Sequence, residues 1–286
     1  MNKDEIKLIE CPRDAMQGWK NFIPTEKKIE YINSLLNVGF DTIDAGSFVS
    51  SRAIPQMADT KDVIRNLKTG MNRSKILVII ANVRGAEEAV GYKEITYLGY
   101  PFSVSETFQL RNTNSTIKES IKRVEEIQKI CDQSGKKLVV YISMAFGNPY
   151  GDPYSEKIVF KSINRIVDMG ISVISLADTV GIAQKEQVLS MTSYLVDVLP
   201  WIEFGVHLHS THQNWKEKLK AAVLAGCKRF DGALKGIGGC PMANDELVGN
   251  MNTEWMISYF DEKGVLPELN RTALEKSLEL ASEIFI

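Results

Sequence analysis

The sequence has 286 residues, 44% of them hydrophobic and 24% charged, which is ordinary globular usage that excludes a disordered or fibrous chain. Its 34 basic and 36 acidic side chains leave a formal charge of -2, too near neutral for the electrostatic footprint of a nucleic-acid binder. No stretch approaches the roughly 20 apolar residues of a membrane span, and the opening MNKDEIKLIE lacks a signal-peptide apolar core, so a cytoplasmic protein with no membrane partner is expected.

Short, β-branched apolar runs alternate with longer segments of helical spacing. The first run, IKLIE (6–10), leads into PRDAMQG, which places Arg13 beside Asp14. A helical segment (26–39) precedes the run FDTIDA (40–45), which ends at Asp44 and Ser47 in DAGSFVS. Runs follow at 75–81 and 94–100, then a helix over 116–135 and the run KLVVYISMA (137–145). A helix over 156–170 leads to SVISLA (172–177) and Asp178, and a helix over 186–199 leads to EFGVHLH (203–209), which carries His207 and His209. The last run, RFDGAL (229–234), opens into KGIGGCPMANDELVGN, a Gly-rich loop that contains Cys240 and ends at Asn250. Several helical segments stop at Gly, as helix C-termini often do.

Strands alternating with helices imply βαβ units and a parallel sheet, because a parallel neighbour needs a long crossover. Eight such runs in one domain spanning 1–286 predict a closed α/β (β/α)8 TIM barrel with extra helices at its C-terminal end, a fold that needs about 250 residues. An open doubly wound sheet would carry GxGxxG after the first strand, and ECPRDAMQG has none. Four scattered cysteines without CxxC spacing do not read as a disulfide scaffold.

Catalytic groups on such barrels gather where strands run out into the following loops. Residues i and i+2 of a strand share a face, so His207 and His209 point together into the barrel mouth. With a carboxylate such as Asp14 from another strand they form a donor set for Mg2+, Mn2+ or Zn2+. These positions hold two of the three histidines in the chain. His212 is assigned to the solvent face near the start of the next helix. The Arg13–Asp14 dipeptide taken alone also fits a surface salt bridge at a turn. Cys240 on a mobile loop can act as acid or nucleophile, or be a buried small hydrophobe. Asp44 and Asp178 are candidate bases, partners that orient a liganding histidine, or helix caps.

From CPRDAMQG through DAGSFVSSRAIPQMAD, VSETFQLRNTN, SLADTVG and VHLHSTH to GIGGCPMANDELVGN, the sequence resembles the 3-hydroxy-3-methylglutaryl-CoA lyase family, to about residue 262. The resemblance implies a Mg2+ or Mn2+ ion held by Asp14, His207, His209 and Asn250, and an acyl-CoA substrate cleaved by a retro-Claisen reaction. It implies that Arg13 neutralises an enolate oxygen, that Cys240 helps protonate the product carbanion, and that Asp44 and Asp178 lie around the substrate and metal. The general base is left between Asp14 and His207. Alternatives are a Claisen-type synthase joining acetyl-CoA to a 2-oxo acid, of the citramalate or isopropylmalate type, and a non-catalytic acyl-CoA-binding barrel. The sequence leaves the oligomeric state open, a homodimer included. Three positions depart from the family pattern: Ser210 stands where Asp is usual, Asp44 where Glu is usual, and the loop after Cys240 is one residue longer and more acidic.

Overall fold

The computed structural model describes residues 5–71, 73–239 and 248–286. Among them the chain runs through β1 (Lys7–Glu10), α1 (Pro12–Gln17), α2 (Thr25–Leu36), β2 (Thr42–Ser47), α3 (Thr60–Arg65), β3 (Lys75–Ile79), α4 (Val83–Ala89) and β4 (Ile95–Ser103). It continues through α5 (Glu106–Thr113), α6 (Ile117–Ser134), β5 (Lys137–Ser143), α7 (Glu156–Val167), β6 (Val173–Asp178), α8 (Lys185–Val198), β7 (Glu203–Leu208), α9 (Trp215–Leu224) and β8 (Arg229–Gly232). Two further helices follow, α10 (Thr253–Glu262) and α11 (Arg271–Ile284).

The strands close in the order β1 to β8, every pair parallel. Closure by β8 on β1, in register from Lys7↔Arg229 to Glu10↔Gly232, excludes the open sheet. Each apolar run of the sequence became a strand. β4 runs three residues past the expected end at 100, through Pro101. Pro101 lacks the N–H of a ladder bond, but β3 pairs with β4 only as far as Gly99, so no bond to β3 is lost there.

Alternation sorts the strand residues between two environments. Ile76, Val78, Leu98, Val140, Ile142 and Ile174 join the large core shared with the helices, whereas Leu77, Tyr97, Val139, Tyr141 and Val173 form a separate cluster. The second set faces the barrel interior, which is packed as a core and not a channel. Helix α6 shows the outer contribution: its capping box pairs Thr116 with Glu119, it ends on Gly135 at φ 67, and it buries Ile121, Val124, Ile127 and Cys131 at spacings of three to four. Full burial of each aliphatic side chain contributes about 1.5–3 kcal/mol. Among the described residues Cys11, Cys131 and Cys227 are buried free thiols. No helix among the described residues is long and apolar enough to cross a membrane.

Glu10 ties the barrel to its C-terminal helices. Its carboxyl group accepts from the Leu234 N–H at 2.8 Å and from the Thr253 hydroxyl at 2.6 Å. Burial raises its pKa from 4.5 to about 8, against the lowering effect of those two hydrogen bonds. The folded state therefore holds a proton that the unfolded state releases. This group's contribution is fully present below pH 4.5 and is lost as pH rises through about 8. Glu10→Gln is expected to flatten that part of the stability profile, so that urea midpoints between these limits fall with pH in the parent chain and less in the variant. Parallel profiles would refute a protonated Glu10.

Candidate metal centre

The site begins where β1 ends. Pro12 occupies the first helical position of α1, where its fixed φ and missing N–H are tolerated, so the chain turns directly into a helix whose first turn carries Arg13 and Asp14. Both are buried, at 8% and 6% exposure, which excludes the surface salt bridge. The Arg13 guanidinium donates to Asp14 Oδ1 from Nη1 (2.8 Å) and to Asp44 Oδ2 from Nε (3.0 Å) and Nη2 (2.5 Å). Asp14 also accepts from Gln17 Nε2 at 2.6 Å and from Asn250 Nδ2 at 2.7 Å. Burial alone would raise the Asp14 pKa, but Arg13, His207, His209 and the Asn250 hydrogen bond hold it near 2, so the group is an anion suited to a cation. Asp44 differs: burial outweighs Arg13 and lifts it to about 6.

His207 near the end of β7 and His209 just past it share a face as the strand period requires, with ring centroids 5.4 Å apart. Donor atoms of Asp14, His207 and His209 all lie within 4.8 Å of one another, a spacing that one small cation can bridge. Burial, then His207, lowers the His209 pKa to about 3, so this imidazole is neutral and free to ligate. Asn250 arrives from the far side of the sequence because residues 249–251 pair along the end of β7, through Ser210 N–H to Gly249 O (3.0 Å), Met251 N–H to Leu208 O (3.0 Å) and a bridge between His209 and Asn250. Its amide nitrogen donates to Asp14 and to Ile237 O (2.9 Å), which leaves its carbonyl oxygen available to a cation. Gly238 permits this closeness: a Cβ there would stand 2.5 Å from Asn250 Nδ2 and 2.8 Å from Asp14 O, at φ +107. The four residues fit a hard divalent ion with oxygen and imidazole donors. Around them lies a mostly apolar pocket that includes Ile79, Pro101, Phe108, Tyr141 and Ala177.

Asp178 faces elsewhere. It accepts from Lys218 Nζ at 2.6 Å, with side chains 1% and 3% exposed, and from the Ala183 N–H at 2.9 Å. Lys218 reaches in from α9 and also donates to His209 O (2.9 Å) and Gly181 O (3.0 Å), so the pair braces the end of β7. Ser210 is buried against Met251. His212 is exposed, edge-on to Trp255. Cys240 and residues 241–247 lie outside the described residues.

The HMGL-like family model matches residues 6–280. The chain belongs to the HMGL-like family. It is 33% identical over 263 residues to the mitochondrial hydroxymethylglutaryl-CoA lyase of Arabidopsis thaliana, spanning 91% of this chain but only 55% of that protein. It is also 33% identical over 263 residues to the cytoplasmic 3-hydroxy-3-methylglutaryl-CoA lyase of Danio rerio, spanning 91% of this chain and 77% of that one. The structure superposes on an HMG-CoA lyase of Acinetobacter baumannii, solved with coenzyme A and 3-methylmalate, with a TM-score of 0.91 at 31% identity, covering 99% of this chain and 92% of the other.

Within this HMGL-like barrel, two site residues escaped the sequence reading. Asp231, fully buried on β8, approaches His207 Nδ1 at 3.2 Å. The alternation that paired the histidines applied equally to RFDGAL one strand over, and it placed Asp231 on the same inward face. Lys218 gave no such signal, because a lysine in an amphipathic helix reads as solvent-facing.

Proposed function

We propose that this HMGL-like chain is a divalent-metal-dependent carbon–carbon lyase that cleaves 3-hydroxy-3-methylglutaryl-CoA to acetoacetate and acetyl-CoA. The observation that carries the metal reading is the convergence of Asp14, His207 and His209 donors beside Arg13 at the mouth of an apolar pocket. The named relatives supply the acyl-CoA substrate, and the neighbour solved with coenzyme A supports it.

In the cleavage the 3-hydroxyl passes its proton to a general base, for which Asp14 and His207 are the two candidates, and becomes the ketone of acetoacetate. The C2–C3 bond breaks, and its electron pair passes to the thioester enolate, which takes up a proton at carbon to give acetyl-CoA. Asp14, His207, His209 and the Asn250 carbonyl would hold Mg2+ or Mn2+, which when bound supplies Lewis-acid polarisation of the substrate oxygens. Three of the five guanidinium N–H donors of Arg13 are engaged by Asp14 and Asp44, so two remain to meet the negative charge that develops on the enolate oxygen. Asp44 acts by fixing that guanidinium, and Asp178 acts through Lys218. Cys240 is proposed from the sequence motif as the proton donor to the enolate carbon.

The test is acetoacetate release from 3-hydroxy-3-methylglutaryl-CoA. Turnover is expected with Mg2+ or Mn2+, its loss on chelation, and its return on adding either ion back. Absence of turnover across related 3-hydroxyacyl-CoA thioesters would overturn the lyase reading, and thiol release from acetyl-CoA plus a 2-oxo acid would put a synthase in its place. We also propose a cytoplasmic location and a homodimer, to be decided by fractionation and by light scattering. Relatives carry both cytoplasmic and mitochondrial names.

A further inference from the structure

The interior of a barrel of this kind is ordinarily filled by branched apolar side chains, yet one sector here is polar and charged. Ala177, His207 and Asp231 stand in register across β6, β7 and β8, and one pleat below them stand Ser175, Gly205 and Arg229. Asp231 thus has a candidate metal ligand beside it on β7 and Arg229 two residues below on its own strand, about 6.6 Å along the backbone at roughly 3.3 Å per residue. Gly205 makes room for the aliphatic stem of Arg229: a Cβ there would sit 3.0–3.2 Å from its side-chain carbons. Arg229 is 0% exposed, lies over the Tyr97 ring at 5.6 Å, and its Nε and Nη2 have no hydrogen-bond partner. The Asp231 side chain is likewise fully buried, with Oδ2 at 3.2 Å from His207 Nδ1 and Oδ1 without a partner.

An acidic side chain in so dry a place requires compensation. Arg229, whose Nη1 also meets Glu203 at 3.4 Å and Asp41 at 3.9 Å, supplies positive charge from below, and the ring N–H of His207 supplies a hydrogen bond from the neighbouring strand. A carboxylate can only accept, so the contact at Nδ1 places the imidazole proton on that nitrogen and leaves Nε2 with its lone pair free. His207 is then presented to the donor cluster of Asp14 and His209 through Nε2.

We propose that Asp231 is a positioning residue, charge-balanced by Arg229 in the barrel interior, that fixes the tautomer and ring orientation of His207 for metal binding. This rests on the metal reading above and adds to it a residue that acts one step behind the ligands. Partners of this kind are typically worth 10–100-fold in metal affinity. The competing assignment on the same atoms is direct ligation, since Cys11, His207 and Asp231 also offer donors within 4.8 Å of one another.

The experiment titrates Mn2+ into the full-length chain and into Asp231→Asn by calorimetry, with circular dichroism to confirm folding. One ion per chain is expected in both, with Kd raised about 10–100-fold in Asp231→Asn. A Kd within twofold of the parent in the folded variant would overturn the proposal, as would two ions per parent chain falling to one in the variant, because Asp231 would then be a ligand. The second measurement needs no variant: 15N–1H correlation of the histidine side chains in the metal-free parent, at alkaline pH where the rings are neutral. It should show His207 protonated at Nδ1, and protonation at Nε2 would overturn the proposal even if Asp231→Asn fails to fold. A parent chain that binds no Mn2+ but shows the Nδ1 tautomer would refute the metal reading while retaining the Asp231–His207 contact.

Discussion

Arg13→Met is expected to lower kcat for acetoacetate release by about 10²–10³-fold, the usual cost of removing one preorganised donor from a developing oxyanion. The expectation follows from the position of the guanidinium. It is held at three points by Asp14 and Asp44, only 8% exposed, and it lines the pocket between the ligand cluster and the apolar wall. Burial opposes its charge, but the carboxylates of Asp44 and Asp14 overcome this and hold it firmly protonated. The variant loses more than a catalytic donor, because Asp14 and Asp44 would then face each other in a dry site without their shared cation. Unfolding in urea should therefore also become easier by about 3–5 kcal/mol, the range for breaking a buried pair on one side. Steady-state kinetics separate the two effects: a folded Arg13→Met with unchanged kcat would remove the guanidinium from the chemistry, whatever its stability. Arg13→Lys tests the geometry, since a point charge cannot reproduce the three-point hold of a planar fork.

Lys218→Met should be the most destabilising single change away from the pocket, by about 3–5 kcal/mol. All three ammonium protons of Lys218 are used, on Asp178 Oδ2, Gly181 O and His209 O. Removing them strands the Asp178 carboxylate, whose pKa burial already raises despite Lys218, and frees the end of β7. Paired with Asp178→Asn the loss should shrink, because the double variant buries no uncompensated charge, and a double-mutant cycle would measure the coupling. Mn2+ affinity should fall in Lys218→Met as well, since the lysine holds the backbone of a proposed ligand. A stability loss under about 1 kcal/mol would place the pair among ordinary surface ion pairs.

The sequence by itself determined the barrel and the composition of its mouth. Local period decides whether a run is strand or helix, and the strand–helix alternation left parallel closure as the economical topology. The twofold period also sufficed to aim His207 and His209 together, and chain order put Arg13 and Asp14 at the end of β1. Tertiary structure alone decided what stands behind those groups. Asp231 is 24 residues from His207, Lys218 is 40 from Asp178, and Asn250 is 236 from Asp14. The Asp14–Asn250 contact exists only once β8 has closed on β1, and the other two only once neighbouring strands have paired and their helices packed on them. Whether Asp44 and Asp178 cap helices, serve as bases or brace cations was equally open in the sequence. Charge pairing in a dry interior is set by which opposite charge shares the cavity, and no local pattern encodes that. The period of the chain thus aims the candidate ligands together, and the folded barrel supplies the partners that pack behind them.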